Sequence, residues 1–276
     1  MTPTTNLLSA SDGKSLAYHQ YLPNGAPRSV ILGLHGIQSH AGWYHESSQR
    51  LAAAGHVVIF ADRRGAGQNQ LQRGHADSGM RLLHDVRQLY DFVSQDFPDC
   101  PVTLMGLSWG GKIAAAFAAR KLRPLHRLVL LYPGLCPRIR PNAWQRCLLW
   151  FARTHDLRHK SVPIPLSDPT LFTDNVDAQQ MIRTDPLALH HVTSGFINAG
   201  LELDRILRTS PGTLPKTFVA LAGKDRIIDN AATKELLRQL TFESLHLTEY
   251  PDARHTLEFE PNRNQIFEEL IEWLNA

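Results

Sequence analysis

The chain has 276 residues, 43% hydrophobic and 20% charged, a globular composition long enough for one large α/β domain whose core needs no disulfide or metal staple. Its formal net charge of +3 is too small an excess to point to nucleic acid. Its three cysteines, Cys100, Cys136 and Cys147, are odd in number and match no CxxC spacing, so they read as reduced thiols rather than a disulfide framework. The first residues, Met1 to Asn6, carry no basic n-region or apolar h-region, and no apolar run approaches the ~20 residues of a membrane span. A soluble cytoplasmic protein without a transmembrane segment is the expectation.

Two short segments, Asn6 to Ala10 and Leu16 to Leu22, flank Asp12-Gly13 and predict an opening antiparallel hairpin. Near-continuous apolar runs follow at Val30–Leu34, Val57–Phe60, Val102–Met105, Leu128–Leu131 and Phe218–Leu221. Strands buried on both faces of a parallel sheet look like this. Helical patterns alternate with them at Trp43–Ala54, Gly79–Gln95, Gly110–Leu122, Ala231–Leu240 and Asn264–Leu274. The alternation predicts an α/β fold with a mostly parallel, doubly wound sheet and helices on both faces. From Tyr132 to about Arg208 the rhythm breaks, with many prolines, helical pieces and no clear strand. Residues 135–208 are therefore expected to form a helical cap inserted into a core of residues 1–134 and 209–276. There are no internal repeats.

The sharpest feature is Gly106-Leu107-Ser108-Trp109-Gly110, a G-x-S-x-G pattern with a buried strand before it and an alanine-rich helix after it. A serine on a tight strand-to-helix turn needs small residues two before and two after, so that the chains approach without a Cβ clash. The turn pushes the hydroxyl out of the sheet and puts the next amide at a helix N-terminus, where an oxyanion is favoured. Ser108 is thus the candidate nucleophile.

A serine hydroxyl is weak at neutral pH and needs a histidine base held by a carboxylate, in the chain order Ser, acid, His. Asp225 directly follows the strand Phe218–Leu221, where open α/β sheets carry their site residues. Asp229, close by, is the weaker rival and reads as a helix cap. His255 follows a strand expected at Leu245–Tyr250, while His246, the other histidine after Asp225, falls inside it. The oxyanion needs two backbone N–H donors. Trp109 supplies one, and Ile37, on the loop His35-Gly36-Ile37 after an early strand, supplies the other.

These motifs, with Leu34-His35-Gly36, Asp62-Arg63-Arg64-Gly65-Ala66-Gly67 and Ala222-Gly223-Lys224-Asp225, resemble the monoacylglycerol lipase and lysophospholipase group of α/β-hydrolases (serine aminopeptidase S33-like). The resemblance runs from about Val30 to the last helix and implies the α/β-hydrolase fold, the same triad and the same oxyanion donors. Arg64 and Gln68-Asn69 depart from it, and the 135–208 segment matches no lipase cap, so the resemblance does not reach substrate choice.

Three further features have competing readings. Gly65 to Gln70 half resembles a dinucleotide fingerprint but lacks the third glycine, so a tight turn is preferred. His155 and His159 are spaced i, i+4 without the glutamate a zincin needs, so neither a metal nor any other cofactor is expected. The apolar stripe at Trp144 and Leu148, with Phe172 and Phe196, either lines an acyl pocket or packs cap onto core. Ten Lys or Arg between Arg120 and Lys160, against Asp156 alone, read as a solvated face or as a surface for anionic substrate or lipid, giving at most a weak membrane-surface contact. The sequence therefore predicts a serine hydrolase acting on a small-molecule ester or lipid-like substrate through an acyl-enzyme. Acyl transfer, thioester or amide cleavage on the same triad, and a non-catalytic small-molecule binder, stand as alternatives. The oligomeric state is left open.

Overall fold

The computed structural model describes residues 5–154, 157–210 and 212–276. The opening hairpin is present: β1 (Thr5–Ser9) pairs antiparallel with β2 (Ser15–Tyr21). Then come β3 (Ser29–Leu34), α1 (His45–Ala53), β4 (His56–Ala61), α2 (Gly79–Asp96), β5 (Val102–Leu107), α3 (Trp109–Ala119) and β6 (Arg127–Leu131). The intervening segment carries α4 (Ala143–Thr154), β7 (Ser161–Pro163), α5 (Val176–Thr184), β8 (His191–Thr193) and α6 (Ser194–Thr209). The chain closes with β9 (Thr213–Leu214), β10 (Lys216–Ala222), α7 (Asn230–Arg238), β11 (Thr241–Phe242), β12 (Leu245–Tyr250) and α8 (Arg263–Asn275).

Eight strands form one sheet in the order β1-β2-β4-β3-β5-β6-β10-β12. β2 runs antiparallel to β4, and every pairing from β4 to β12 is parallel. The continuous apolar runs have a simple cause, because alternate residues of one strand serve two cores. Val30, Leu32 and Leu34 join α2, α3 and α6 on one face, while Ile31 joins α1 and α8 on the other. Each such side chain removed from water contributes roughly 1.5–3 kcal/mol.

The strand-free reading of residues 132–208 needs correction. β7 and β8 pair there as a short antiparallel ribbon, Val162 opposite Val192. Three-residue strands with a proline in one of them carry too little alternation to stand out in a sequence. Within this segment α6 packs on α2, α3 and α4. Among the described residues no helix is long and apolar enough to cross a membrane.

Candidate active site

The sheet places the candidate residues at the carboxyl ends of neighbouring parallel strands. Ser108 follows β5 and is the N-cap of α3, with φ 49° and ψ −120°. A non-glycine residue at positive φ is strained, and hydrogen bonds hold it there. Its N–H donates to Leu131 O at 3.0 Å, and its carbonyl accepts from Gly111 and Gly134 at 2.9 and 2.6 Å. The flanking glycines are needed for space. A Cβ on Gly106 would lie 2.6 Å from Gly110 O, and one on Gly110 would lie 2.2 Å from Leu34 O.

Asp225 follows β10 and His255 follows β12. His255 Nδ1 donates to Asp225 Oδ2 at 2.7 Å, and its Nε2 lies 2.9 Å from Ser108 Oγ. With Nδ1 carrying the proton, Nε2 is free to accept from the serine. Asp225 Oδ1 accepts from the Ile227 and Ile228 N–H groups at 2.8 and 2.9 Å, which fixes the carboxylate plane. Both side chains are almost fully buried, so the pair works out of water, where hydrogen bonds are stronger. Asp229 is elsewhere occupied: it caps α7 by accepting from Ala232 N–H.

The loop after β3 is fixed by His35. Its Nδ1–H donates to Gly36 O at 2.8 Å and its Nε2 accepts the Arg63 N–H at 2.8 Å, which defines one neutral tautomer. Burial, with the Arg63 charge beside it, holds His35 well below the ordinary histidine range. The bond to Gly36 O orients the Gly36–Ile37 peptide. In a trans peptide the Ile37 N–H must then point the opposite way. Among the described residues neither the Ile37 nor the Trp109 N–H is claimed by another acceptor. A Cβ on Gly36 would come within 3.3 Å of Ser108 Cβ, so this loop passes against the serine turn.

Serine, imidazole, buried carboxylate and two unclaimed amides form a constellation able to attack a carbonyl and hold the resulting oxyanion. Residues 25–262 match the model of the Hydrolase_4 family, serine aminopeptidase S33. The chain belongs to this family. A monoacylglycerol lipase of Mycolicibacterium smegmatis is 26% identical over 265 residues, 95% of this chain and 93% of its own. The human monoglyceride lipase is 26% identical over 272 residues, covering 96% and 88%. A soluble variant of the Saccharomyces cerevisiae monoglyceride lipase superposes with a TM-score of 0.86 at 16% identity, over 99% of this chain and 95% of that one. The S33-family chain is thus a serine hydrolase with the α/β-hydrolase fold.

In this S33 hydrolase a cavity opens beside Ser108 and His255. Its walls include Ile37, Trp43, Leu166 and Phe172, together with Ser39, Tyr44, Tyr132 and Thr256. No Asp or Glu lines it among the described residues. Phe172 is therefore at the cavity, its ring edge-on to His255 at 6.0 Å. Phe196 is buried and stacks on Trp109 at 4.3 Å, behind the nucleophile turn. Trp144 and Leu148 are not among the cavity residues. They lie on the outward face of α4, 69% and 49% exposed, beside exposed Trp150 and Phe151. The stripe's spacing is helical as read, but its face meets solvent because Leu149 is the residue that turns inward, towards α6.

The glycine turn after β4 encloses the Asp62 carboxylate, which accepts from Ala41 and Gln68 N–H groups. A Cβ on Gly67, at φ 53°, would lie 2.2 Å from Asp62 Oδ2. Of the spaced histidines, His155 lies outside the described residues, and His159 stacks on His75 at 4.2 Å. Among the described residues no three His, Cys, Asp or Glu are grouped to hold a metal ion. Sequence reasoning missed Tyr132 and Glu258. Tyr132 directly follows β6, at φ 37°, and donates to Glu258 Oε2 at 2.5 Å, its ring 4.9 Å from His255. A tyrosine directly after a buried strand, at the end where site residues gather, was the available signal.

Proposed function

We propose that this chain hydrolyses carboxylic esters with an apolar acyl arm and an uncharged alcohol, by way of an acyl-enzyme on Ser108. The observation that carries the reading is the unbroken line Asp225–His255–Ser108, at 2.7 and 2.9 Å. His255 takes the Ser108 proton as Oγ attacks the carbonyl, and the Ile37 and Trp109 N–H groups receive the oxyanion. The tetrahedral adduct collapses as His255 returns the proton to the leaving alcohol. Water, deprotonated by His255, then releases the acid. No cofactor enters these steps. Relatives that are monoacylglycerol and monoglyceride lipases support a monoacyl, lipid-like substrate.

Residues 135–208 act as the cap that shapes the acyl site, through Leu166 and Phe172. The outward Trp144, Leu148, Trp150 and Phe151, in a stretch rich in arginine, rest on an anionic lipid surface from which substrate is drawn. The family description also raises peptide cleavage. An aminopeptidase needs an acid to receive the substrate ammonium, and among the described residues no Asp or Glu lines the cavity, so ester cleavage is preferred.

Ser108→Ala should lower turnover of a short-chain p-nitrophenyl ester by roughly 10⁴-fold or more, and should abolish labelling by a fluorophosphonate probe. Wild-type turnover in that variant would overturn the reading. A purified chain that binds esters but takes no label at Ser108 would be a binder instead. An ester, thioester and aminoacyl-amide panel separates the remaining chemistries.

A further inference from the structure

Arg63 is 7% exposed and stands directly after Asp62, behind the site rather than in it. Among the described residues no carboxylate lies within ion-pairing distance of its guanidinium, and its Nε has no hydrogen-bond partner. Burying such a cation is costly unless something recovers the loss. Hydrogen bonds and ring contacts do. Nη2 donates to Ile37 O at 3.0 Å, and Nη1 more weakly to Arg64 O at 3.4 Å. The guanidinium carbon also lies 4.6 Å from the Phe196 ring centroid and 5.2 Å from that of Trp109, within range for a cation held on an aromatic face. Burial lowers Arg63 to about 9, so it keeps its charge at neutral pH.

The two residues it touches from behind, Ile37 and Trp109, are the ones whose amides receive the oxyanion. Ile37 lies between two peptide planes. His35 fixes the first through Gly36 O, and Arg63 fixes the second through Ile37 O. With both planes held, the Ile37 N–H has one direction. The indole of Trp109 is clamped by Phe196, stacked at 24°, and by the same guanidinium. We propose that Arg63 is a positioning residue that sets both oxyanion-hole amides. This rests on the acyl-enzyme reading above.

Positioning of this kind acts in the transition state and little in the ground state, so it shows in kcat rather than KM. Arg63→Met keeps volume and loses the fork and the charge. Its kcat on a p-nitrophenyl ester should fall by roughly 100-fold with KM within about threefold. Affinity for an alkyl boronic acid, which becomes tetrahedral on Ser108, should fall by the same factor as kcat/KM, while inhibition by the matching carboxylic acid stays put. Arg63→Lys keeps the charge but cannot donate and stack in one plane, and should recover part of the loss, to roughly tenfold below wild type.

A merely structural arginine would lower the melting temperature and the titratable active-site fraction, leaving kcat per titrated site and boronate affinity unchanged. That result overturns the proposal. If Arg63→Met does not fold, Arg63→Lys decides: wild-type kcat and boronate affinity in it overturn the proposal, and a joint fall supports it. Wild type and Ser108→Ala run beside them, and absence of labelling at Ser108 in wild type marks failure of the underlying reading instead.

Discussion

Glu258 lies under the catalytic-type histidine without taking part in its hydrogen bonding. Tyr132 donates to its Oε2 at 2.5 Å, its Oε1 has no hydrogen-bond partner among the described residues, and burial pushes its carboxyl up to about 7 against the bond from Tyr132. An acid whose folded-state pKa is raised binds its proton more tightly when folded. Ionising it therefore costs stability, with nothing lost below the unfolded value near 4.5 and the full cost reached above about 7. At about 1.4 kcal/mol per unit, the penalty is roughly 3 kcal/mol. Glu258→Gln should thus gain about that much on wild type between pH 4.5 and pH 8, read by urea denaturation. A stability difference that stays flat across that range would refute the assignment of a buried, protonated acid. The ring of Tyr132 faces His255, so the acid packs beside the site, and below about pH 7 its neutral form keeps a second negative charge away from the Asp225–His255 pair.

The elements that were legible in the sequence are those whose pattern is set by burial on two faces. β3 to β6 and β10 are continuous apolar runs because helices cover both sides of the sheet, and the serine turn stood out because Gly106 and Gly110 have no room for a side chain. The strand-end positions of Ser108, Asp225 and His255, and the N-cap role of Asp229, were readable from the strands and helices that flank them. The β7–β8 ribbon was not, since its pairing joins residues far apart in the chain and its strands are three residues long. Nor was the direction of α4. Its apolar stripe would ordinarily pack against the protein, and only the tertiary arrangement, with Leu149 buried and Trp144, Leu148 and Trp150 exposed, shows that it faces outward. That outward side carries its own expectation. An indole leaving water for a lipid interface is worth roughly 1–2 kcal/mol, about tenfold in affinity. Trp150→Ser should weaken sedimentation with phosphatidylglycerol vesicles by roughly that factor and leave turnover of a water-soluble ester unchanged. Equal vesicle binding by variant and wild type would rule out a lipid-facing role for α4.

Across the molecule, the segment between β6 and β9 is tied to the sheet by a strap, residues 185–193, that runs beside the loop after β3. Leu189 N–H donates to Gln38 O, Arg73 to Leu187 O, and Thr193 N–H to Gly74 O. Lys112 of α3 pairs with Asp204 of α6 at 2.8 Å. A further anchor is Asp185, its side chain 9% exposed. His40 Nδ1 accepts from Gly42 N–H, so its Nε2–H donates to Asp185 at 3.0 Å, and Trp43 Nε1–H donates at 2.5 Å. Burial alone would raise this carboxyl, but the bonds from His40 and Trp43 outweigh it and hold Asp185 at about 2. A depressed acid contributes stability above its unfolded value, here 3.8, and loses it as pH falls towards 2. The shift corresponds to about 2 kcal/mol. Asp185→Asn should therefore be less stable than wild type by about that amount at pH 7, and the gap should narrow between pH 4 and pH 2.5. The same anchor carries a functional consequence, because Trp43 lines the cavity with Phe172, whose ring meets it edge-on at 6.1 Å. Loosening Asp185 frees that wall while leaving Ser108, His255 and Asp225 on their own strands. KM for a long-chain ester should then rise several-fold with kcat kept, measured on the folded variant at pH 7. A fall in kcat at constant KM would mean that the strap acts on Ser108, His255 and Asp225 rather than on the cavity wall.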